Sequence, residues 1–363
     1  MSGIYVHIPF CKKRCTYCSF YSTTLLNHID HYIDSICNEA IQRKDFLTDK
    51  NIDTIYIGGG TPSLLHHSHI EKIYDTLASI YNLDKLREFT IECNPDDVDF
   101  SFISGLKKTA VNRVSLGVQS FDDTLLKFMN RRHDSLSATE AVKRLQENGY
   151  DNISIDLIYG IPGQSEASWK ESVEQAISLN VQHISAYNLS FEEGTTMFRY
   201  ADKAPDDDTC LDMFKHLCSQ LSKAGFEHYE ISNFAKKGFR SKHNSSYWTG
   251  VPYLGLGAGA HSYNTKERHW NNEMIISGNT INWNTEKEVL SERDIFNELI
   301  LTSLRTKEGV LESNVNIKYA NHFNIIAEKQ ISEGLLKKND GRVSLTEKGI
   351  FLSDAVIRDF IIL

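Results

Sequence analysis

Short apolar runs alternate with amphipathic stretches from the start of the chain to about residue 190. The runs are rich in β-branched and aromatic residues, as strands are. They predict six strands: Ile4–Ile8, Thr54–Ile57, Phe89–Cys93, Arg113–Val118, Ile153–Ile158 and His183–Leu189. The stretches between them carry apolar residues at helical spacing, as in Ser137–Asn148 and Ser168–Leu179. This alternation predicts an α/β fold in which six parallel strands and their helices form a partial (β/α)6 barrel of the TIM-like type.

Glycines and polar residues follow each predicted strand. In chain order these stretches are HIPFC, GGGTP, NPDD, QSF, GIPG and SFEEGT. Parallel α/β proteins bind their ligands at the carboxyl ends of the strands. We therefore expect the six stretches to converge on one face of the barrel and to form the active site there.

The regular alternation ends near residue 205, and different patterns follow. A helix over Asp206–Ala224 and a short strand at His228–Ser232 are predicted next, and we expect a first domain of residues 1–230. A glycine-rich connecting segment covers residues 231–290. In residues 291–363, two or three helices, a basic turn, a short strand and a final helix predict a small winged-helix-like α+β domain.

Composition narrows the class of protein. The chain has 363 residues, 40% of them hydrophobic, and a formal net charge of −9. We find no apolar run of the roughly 20 residues that a membrane span needs and no secretory signal pattern, so we expect a cytoplasmic protein that meets membranes only through partners. The acidic balance argues against binding to nucleic acid.

The seven cysteines divide into one cluster and four isolated residues. Cys11, Cys15 and Cys18 lie in the stretch CKKRCTYC, whereas the others are scattered at Cys37, Cys93, Cys210 and Cys218. In a reducing compartment, scattered cysteines are usually buried thiols. Only the three clustered cysteines form a candidate metal site.

Two kinds of metal site are compatible with three thiolates at this spacing. A [4Fe–4S] cube held by three thiolates keeps one iron free for a substrate or cofactor. A tetrahedral zinc site needs a fourth ligand, and the nearest histidine, His7, belongs to a predicted strand. The spacing favours the iron–sulfur cluster and leaves zinc with a distant ligand as the alternative. The backbone of Gly59 and Gly60, beside Thr61, could approach a ligand closely, or it could form only a tight turn.

These features together resemble the radical S-adenosylmethionine (SAM) superfamily. The stretches YVHIPFC, YIGGGTPSLL, IECNPDD, NRVSLGVQSFDD, MNRRH, IDLIYGIPGQ and HISAYNLSFEEGT are similar to those of the oxygen-independent coproporphyrinogen III oxidase family. The resemblance extends from Tyr5 to about Tyr263. It implies a [4Fe–4S] cluster whose fourth iron binds SAM, and one-electron cleavage of SAM to methionine and a 5′-deoxyadenosyl radical.

The resemblance also implies roles for individual residues. Cys11, Cys15 and Cys18 are expected to ligate the cluster. The residues expected to bind SAM are Tyr5, Gly59, Gly60, Thr61, Glu92, Gln119, Arg131 and Asp156. Structural alternatives remain open, because Glu92 and Asp156 could cap helices, Arg131 could form a surface ion pair, and Tyr5 could belong to the core.

The proteins that this chain resembles have one of two functions. The oxidases decarboxylate coproporphyrinogen III, whereas a sister group, the HemW-type haem chaperones, binds haem and delivers it to haem proteins. The oxidases carry a cysteine two residues after the third cluster cysteine and an N-terminal extension. Here that position is Phe20, and the chain begins almost at the first strand. Both differences favour the chaperone group.

A further motif points the same way. The stretch HNSSYW, residues 243–248, matches the HNxxYW motif of the chaperones. It offers His243 as a haem ligand and two aromatic side chains for a porphyrin face, or it is a loop with ordinary packing residues. His261 is a second candidate ligand, and His7 is better explained as structural.

The sequence therefore predicts a haem chaperone of the radical SAM class. We expect its cofactors to be a [4Fe–4S] cluster, SAM and haem, and its partners to be recipient haem proteins and a reductant such as flavodoxin. An oxygen-independent coproporphyrinogen III oxidase is the alternative. A zinc-stabilised regulator that binds DNA through its C-terminal domain is a third hypothesis.

Overall fold

The computed structural model describes residues 2–363, which form strands β1–β17 and helices α1–α12. The strands are β1 Ser2–Ile8, β2 Ile52–Gly59, β3 Glu88–Cys93, β4 Arg113–Gln119, β5 Ile153–Tyr159, β6 His183–Asn188, β7 Glu227–Glu230, β8 Asn233–Ala235, β9 Tyr253–Leu256, β10 His261–Tyr263, β11 Glu267–Asn271, β12 Ile275–Ser277, β13 Thr280–Asn282, β14 Thr285–Val289, β15 Val310–Leu311, β16 Leu336–Asn339 and β17 Arg342–Leu345. The helices are α1 Ile29–Gln42, α2 His67–Ile80, α3 Phe100–Leu106, α4 Asp123–Phe128, α5 Ser135–Glu147, α6 Glu166–Ser178, α7 Asp207–Lys223, α8 Lys242–Trp248, α9 Glu292–Ser303, α10 Ile317–Ser332, α11 Glu347–Phe351 and α12 Ser353–Phe360.

The first six strands form the predicted partial barrel. They pair in chain order and in parallel, β1 to β6, within a 12-stranded sheet. The sheet does not close, because β9 pairs with β1 at one side and β8 pairs with β6 at the other. The fold class predicted from the sequence is confirmed.

Side chains of the barrel strands alternate between an apolar outer face and a polar interior. On β1, Ile4, Val6 and Ile8 are fully buried in the main hydrophobic core, which they share with α1. Tyr5 and His7 alternate with these residues along the strand, and their side chains hydrogen bond to each other. Parallel strands are usually apolar on both faces. The polar interior therefore indicates space for polar ligands and residues along the barrel axis.

The interior is closed at the amino ends of the strands by α8. Ser241 caps this helix, and Glu88 at the start of β3 accepts hydrogen bonds from the amides of Lys242 (2.8 Å) and His243 (2.9 Å). A carboxylate at a helix N-terminus is favourable because it meets free N–H groups and the positive end of the helix dipole. This contact fixes α8 beneath the barrel.

The segment 231–290, predicted as a connector, extends the sheet at both of its sides. Residues 292–363 form a separate small unit, in which α9–α12 pack on the three-stranded sheet β15–β17–β16 around their own hydrophobic core. The domain boundaries at 230 and 290 stay a prediction. Within residues 2–363, none of the helices has the length and apolar character of a membrane span.

Candidate functional site

A cavity opens at the carboxyl ends of the barrel strands. It has a volume of about 480 Å³, and we call it the first cavity. It is lined by these residues singled out from the sequence: Cys11, Cys15, Cys18, Gly59, Gly60, Thr61, Glu92, Gln119, Arg131 and Asp156. Convergence of the strand ends on one face is thus observed. The ligand roles of these side chains stay predictions.

The cysteine loop, residues 11–18, is anchored by main-chain hydrogen bonds to two other parts of the chain. The amide of Cys11 donates to the carbonyl of Thr23 (2.8 Å), and the amide of Thr16 donates to the carbonyl of Met129 (3.1 Å). The second bond reaches the end of α4, which is distant in sequence. Loop position is therefore set by tertiary contacts as well as by the β1 strand that precedes it.

Two side chains donate hydrogen bonds to the sulfurs of this loop. Thr61 Oγ1 lies 3.5 Å from Cys11 Sγ, and Arg131 Nη1 lies 3.2 Å from Cys15 Sγ. Burial raises the pKa of Cys11 and that of Cys18. A thiolate at these positions is stabilised only in part by these donors, so a bound cation would complete its stabilisation.

Cys11, Cys15 and Cys18 all line the first cavity. Across residues 2–363, no three His, Cys, Asp or Glu side chains are placed to hold a single metal ion. Zinc requires ligands that converge within about 2.3 Å of one centre, whereas a cube of four irons takes thiolates at separate corners. Three thiols on one short loop match the corners of such a cube.

The end of β2 runs unusually close to β1. The amide of Gly60 donates to the carbonyl of Ile8 (2.8 Å). A Cβ atom at Gly60 would lie 2.8 Å from the carbonyl oxygen of Phe10, and one at Gly59, where φ is 117°, would lie 2.7 Å from the His7 ring. Only glycine fits both positions. The glycine motif thus brings bare backbone against the cysteine loop.

Two buried carboxyl groups, those of Glu92 and Asp156, are among the residues that line the first cavity. Glu92 accepts hydrogen bonds from the hydroxyl of Tyr56 (2.7 Å) and the amide of Gly59 (3.0 Å). Burial raises the pKa of Glu92 to about 7, against the effect of these bonds, and raises the pKa of Asp156 to about 6, against the effect of Ser185. Both carboxyls can therefore change protonation near neutral pH and suit a ligand with hydroxyl or ammonium donors.

The structure does not support the alternative that these carboxylates cap helices. The N-caps of α3 and α6, which follow β3 and β5, are Asp99 and Ser165. Within residues 2–363, Arg131 also forms no surface ion pair, and its guanidinium donates instead to Asn94 Oδ1 and to the carbonyl of Gly117, both at 2.6 Å. Glu92 and Asp156 are therefore not the caps of these helices, and Arg131 does not have the surface ion pair considered for it.

Buried donors without partners lie beside the carboxylates. Arg131 Nε and Asn94 Nδ2 are both buried and make no hydrogen bond within residues 2–363. Unpaired buried donors are costly, so they indicate a missing acceptor. A ligand carboxylate or an ordered water would supply it.

A β-bulge places Gln119 in the first cavity. The register between β4 and β5 shifts between Leu116 and Gln119, and Gln119 has a φ of 69°. A bulge redirects a side chain, and a positive φ is uncommon for a residue other than glycine. Gly117 lies within the bulge, where a Cβ would approach Gln119 Nε2 to 2.8 Å.

The lining residues that were not singled out as site residues from the sequence include Asn94, Ser115, Gly117 and Tyr187. Each lies at or near the carboxyl end of a barrel strand. The sequence did contain a signal for two of them. Side chains two positions apart on a strand point to the same face, and Ser115 and Gly117 lie four and two positions before Gln119.

Tyr5 and His243 lie outside the first cavity. The Tyr5 hydroxyl hydrogen bonds to His7 Nδ1 (2.9 Å), deeper in the barrel. His243 is 1% exposed, and its ring nitrogens hydrogen bond to Thr54 Oγ1 (2.8 Å) and to the Tyr247 hydroxyl (2.7 Å). In this arrangement neither nitrogen of His243 is free to bind iron, so its ligand role stays a prediction.

The other two histidines also occupy defined places. His7 Nε2 hydrogen bonds to the carbonyl of Tyr21 (2.9 Å), in line with the structural role expected for it. His261 is exposed on β10, with its ring 6.5 Å from that of Trp270. Neither side chain lines the first cavity.

The donors of the first cavity fit a [4Fe–4S] cluster and SAM. Three thiols on one loop are soft ligands for iron. The unpaired donors of Arg131 and Asn94 suit a carboxylate, and the carboxyls of Glu92 and Asp156 suit hydroxyl or ammonium groups. The residues present therefore match the chemistry of both groups.

Two family models match parts of this chain. Residues 5–176 match the family model of the Radical SAM superfamily, and residues 290–352 match that of the HemN C-terminal domain. A coproporphyrinogen III oxidase (HemN) from Escherichia coli has the same fold, with a TM-score of 0.84 at 21% identity over 99% of this chain and 90% of that chain.

Curated relatives match over the full length. The protein named heme chaperone HemW of Lactococcus lactis is 37% identical over 99% of this chain and 97% of its own length. That of Bacillus subtilis is 33% identical over 99% of both, and that of Mycobacterium tuberculosis is 32% identical over 98% of this chain and 94% of its own. The chain therefore belongs to the HemW family within the radical SAM superfamily.

Proposed function

We propose that this protein is a haem chaperone that binds haem and delivers it to recipient haem proteins. The observation that carries this proposal is the match to curated haem chaperones along the whole chain, at 37% identity for one of them. The cluster loop supports it, because Phe20, 68% exposed, stands where the resembling oxidases carry a further cysteine.

The first cavity is proposed to hold the cluster and SAM. Cys11, Cys15 and Cys18 would ligate three irons, and a cluster bound there supplies one-electron chemistry toward SAM. Arg131 would bind the SAM carboxylate through its planar fork, and Glu92 and Asp156 would accept hydrogen bonds from its amine or hydroxyl groups. The bare backbone of the glycine motif and Thr61 would complete the wall beside the cluster, and Gln119 would close the opposite wall.

The proposal includes a compartment and partners. All seven cysteines are free thiols, which suits the reducing cytoplasm that we propose as the site of action. A small electron carrier such as flavodoxin is the proposed reductant. Recipient proteins would dock to the chaperone, while nucleic acid would be repelled by the net charge of −9.

Haem binding and transfer test the proposed function directly. Protein with a reconstituted cluster is titrated anaerobically with haem, and the complex is then mixed with a haem-free globin as recipient. We expect saturable binding of haem and faster haem uptake by the globin than from albumin-bound haem. Protein without haem is the control for spectral changes of the cluster itself.

The oxidase alternative is tested on the same preparation. Cluster-loaded protein receives SAM, a strong reductant and coproporphyrinogen III, and mass spectrometry follows stepwise loss of carbon dioxide. We expect no decarboxylated product. Product formation, or haem binding no tighter than that of albumin, would reject the chaperone function.

A further inference from the structure

A second cavity lies at the opposite end of the barrel, between α8 and the C-terminal unit. Its volume is about 590 Å³, within the range of about 300–1,000 Å³ typical of ligand pockets. One wall comes from α8 and the strands β9–β11, and the other comes from α9 and β17. None of its lining residues lines the first cavity.

The barrel side of this second cavity is aromatic. Tyr247 and Trp248 come from the end of α8, and Tyr253 and Tyr263 come from the adjacent strands. The rings of Tyr247 and Tyr253 lie 4.6 Å apart in an edge contact, and those of Tyr253 and Tyr263 lie 6.4 Å apart. Such a wall favours a flat, largely apolar ligand, which can stack on or against the rings.

Cations lie at the same cavity. The Arg268 guanidinium carbon is 5.9 Å from the centre of the Tyr263 ring, and the group pairs with Glu298. Arg342 on β17 is exposed, and within residues 2–363 it has no carboxylate partner. A ligand with carboxylate groups would therefore find one unpaired arginine and one arginine with remaining donor capacity.

Buried polar atoms of this wall lack partners. Trp248 Nε1, Arg268 Nε and Ser245 Oγ are buried and form no hydrogen bond within residues 2–363. Three such groups in residues that line one cavity are unusual, since a buried polar group without a partner is rare in folded proteins. A ligand or an ordered water in the cavity would supply the missing partners.

We propose that this second cavity is the haem site. The porphyrin ring would lie against Tyr247, Trp248 and Tyr253, and its two carboxylates would pair with Arg342 and Arg268. This inference rests on the proposed function, because it assigns a place to the haem that the chaperone carries. A histidine is absent from the lining within the described chain, so His243 would support α8 instead of binding the iron.

The second cavity suits haem better than the first. The cysteine loop of the first cavity is assigned to the cluster. The second cavity offers aromatic walls and the unpaired Arg342, beside Arg240 and Arg268, which pair with Glu308 and Glu298 of the same lining. Separate sites would also allow the cluster, SAM and haem to be bound together.

Two variants test this site in the full-length, cluster-loaded protein. Arg342→Gln removes an exposed charge and should weaken haem binding about fivefold, as the loss of one charged contact at a rim does. Thr302→Trp on α9 fills the cavity and should weaken it at least about tenfold, since the ligand must then displace packed protein. The matched control is Arg358→Gln, an exposed arginine of α12 outside the cavity, which should bind haem as wild type does.

Iron content, SAM binding and the thermal midpoint are measured for each variant, and these should match wild type for Arg342→Gln. If wild type binds haem and both cavity variants bind it equally well, the cavity assignment is wrong while the chaperone function stands. If wild type binds no haem, the proposed function fails and the site fails with it. Loss of binding in Arg358→Gln as well would attribute the effect to overall charge and would also overturn the assignment.

Discussion

Arg131 connects three parts of the first cavity through a single side chain. It donates to the sulfur of Cys15 at 3.2 Å, and to Asn94 Oδ1 and the Gly117 carbonyl at 2.6 Å. A guanidinium has five donors in a fixed plane, whereas a lysine ammonium has three and no fixed plane. Charge alone therefore does not account for the role of this residue.

Replacing Arg131 with lysine should separate charge from geometry. We expect Arg131→Lys to keep its cluster, because the three cysteines remain, and to bind SAM about 10- to 100-fold more weakly, because the fork to the carboxylate is lost. Calorimetric titration of the cluster-loaded protein with SAM measures this. The control is Arg144→Lys, since Arg144 pairs with Glu140 along α5, away from the cavity. Unchanged SAM affinity in Arg131→Lys would exclude this role.

Glu92 should make the ligand-free protein less stable as pH rises. Its pKa in the folded state is about 7, above the ordinary value of 4.5, because burial disfavours the charged form. Below pH 4.5 the carboxyl group is protonated in both the folded and the unfolded state, so it does not lower the free energy of unfolding. The free energy of unfolding falls as the pH rises from 4.5 to 7, and the full destabilisation is present above pH 7.

The variant Glu92→Gln, which cannot ionise, should flatten this dependence. Relative to wild type, its free energy of unfolding should improve by about 2 kcal/mol between pH 5 and pH 8, since one pKa unit corresponds to about 1.4 kcal/mol. Urea unfolding at pH 5 and pH 8 gives the free energy of unfolding of each protein at both pH values. Taking the difference between the two pH values for each protein separately removes the constant effect of the hydrogen bonds that Glu92→Gln loses. A parallel shift of both curves would show that Glu92 does not titrate in this range.

At the scale of elements, α8 shows what the sequence could not predict. Its residues KHNSSYW lack the apolar periodicity of a helix, and we expected a motif in a connecting segment. The helix forms because Ser241 caps it and Glu88, over 150 positions earlier, accepts its first amides. A contact between residues so distant in sequence leaves no local signal. The barrel strands, in contrast, were predicted to within two residues at each end, because their apolar alternation is local.

The residues of the first cavity also fall into those that the sequence could predict and those that it could not. Its cysteines and glycines were predicted because spacing and backbone freedom are visible in a sequence. Asn94 and Gly117 were missed because their roles depend on the side chain of Arg131, which reaches them from a loop after the next strand. His243 was predicted at a ligand site, yet its surroundings come from β1 and β2, far away along the chain.

The buried position of His243 leads to a prediction about stability. Removing a buried ring with hydrogen bonds at both nitrogens should cost about 2–4 kcal/mol of unfolding free energy in His243→Ala. His261→Ala is the control, and a change within about 0.5 kcal/mol is expected there because His261 is exposed. Denaturant unfolding measures both. A stable His243→Ala protein that has lost haem binding would instead favour iron ligation by His243.

At the scale of the whole molecule, the C-terminal unit completes the second cavity. It is joined to the barrel by main-chain hydrogen bonds from Ile231 to Arg305 (3.1 Å) and from Lys307 to Tyr229 (3.0 Å). These bonds lie at the end of β7, so the unit is held against the sheet by hydrogen bonds as well as by its covalent connection. Because the unit is docked, its residues form one wall of the second cavity, and its fold alone does not assign it a role in binding DNA.

The two cavities are connected along the barrel axis by consecutive side-chain contacts. The Tyr56 hydroxyl donates to Glu92 in the first cavity (2.7 Å), and the Tyr56 ring stacks on His243 with centroids 5.2 Å apart. His243 hydrogen bonds to the hydroxyl of Tyr247 (2.7 Å), a residue of the second cavity. A ligand that bonds to Glu92 competes with Tyr56 and can therefore change the packing of Tyr247.

This chain of contacts predicts that SAM and haem affect each other's binding. We expect SAM to change the haem dissociation constant about fivefold in wild type, a coupling of about 1 kcal/mol, and haem to change SAM affinity by the same factor, because linkage is reciprocal. Tyr56→Phe removes the hydroxyl that reaches Glu92 and keeps the ring on His243, so the effect should fall below about twofold. Tyr74→Phe on α2, which lines neither cavity, is the control. Equal haem affinity with and without SAM in wild type would show that the two ends of the barrel act independently.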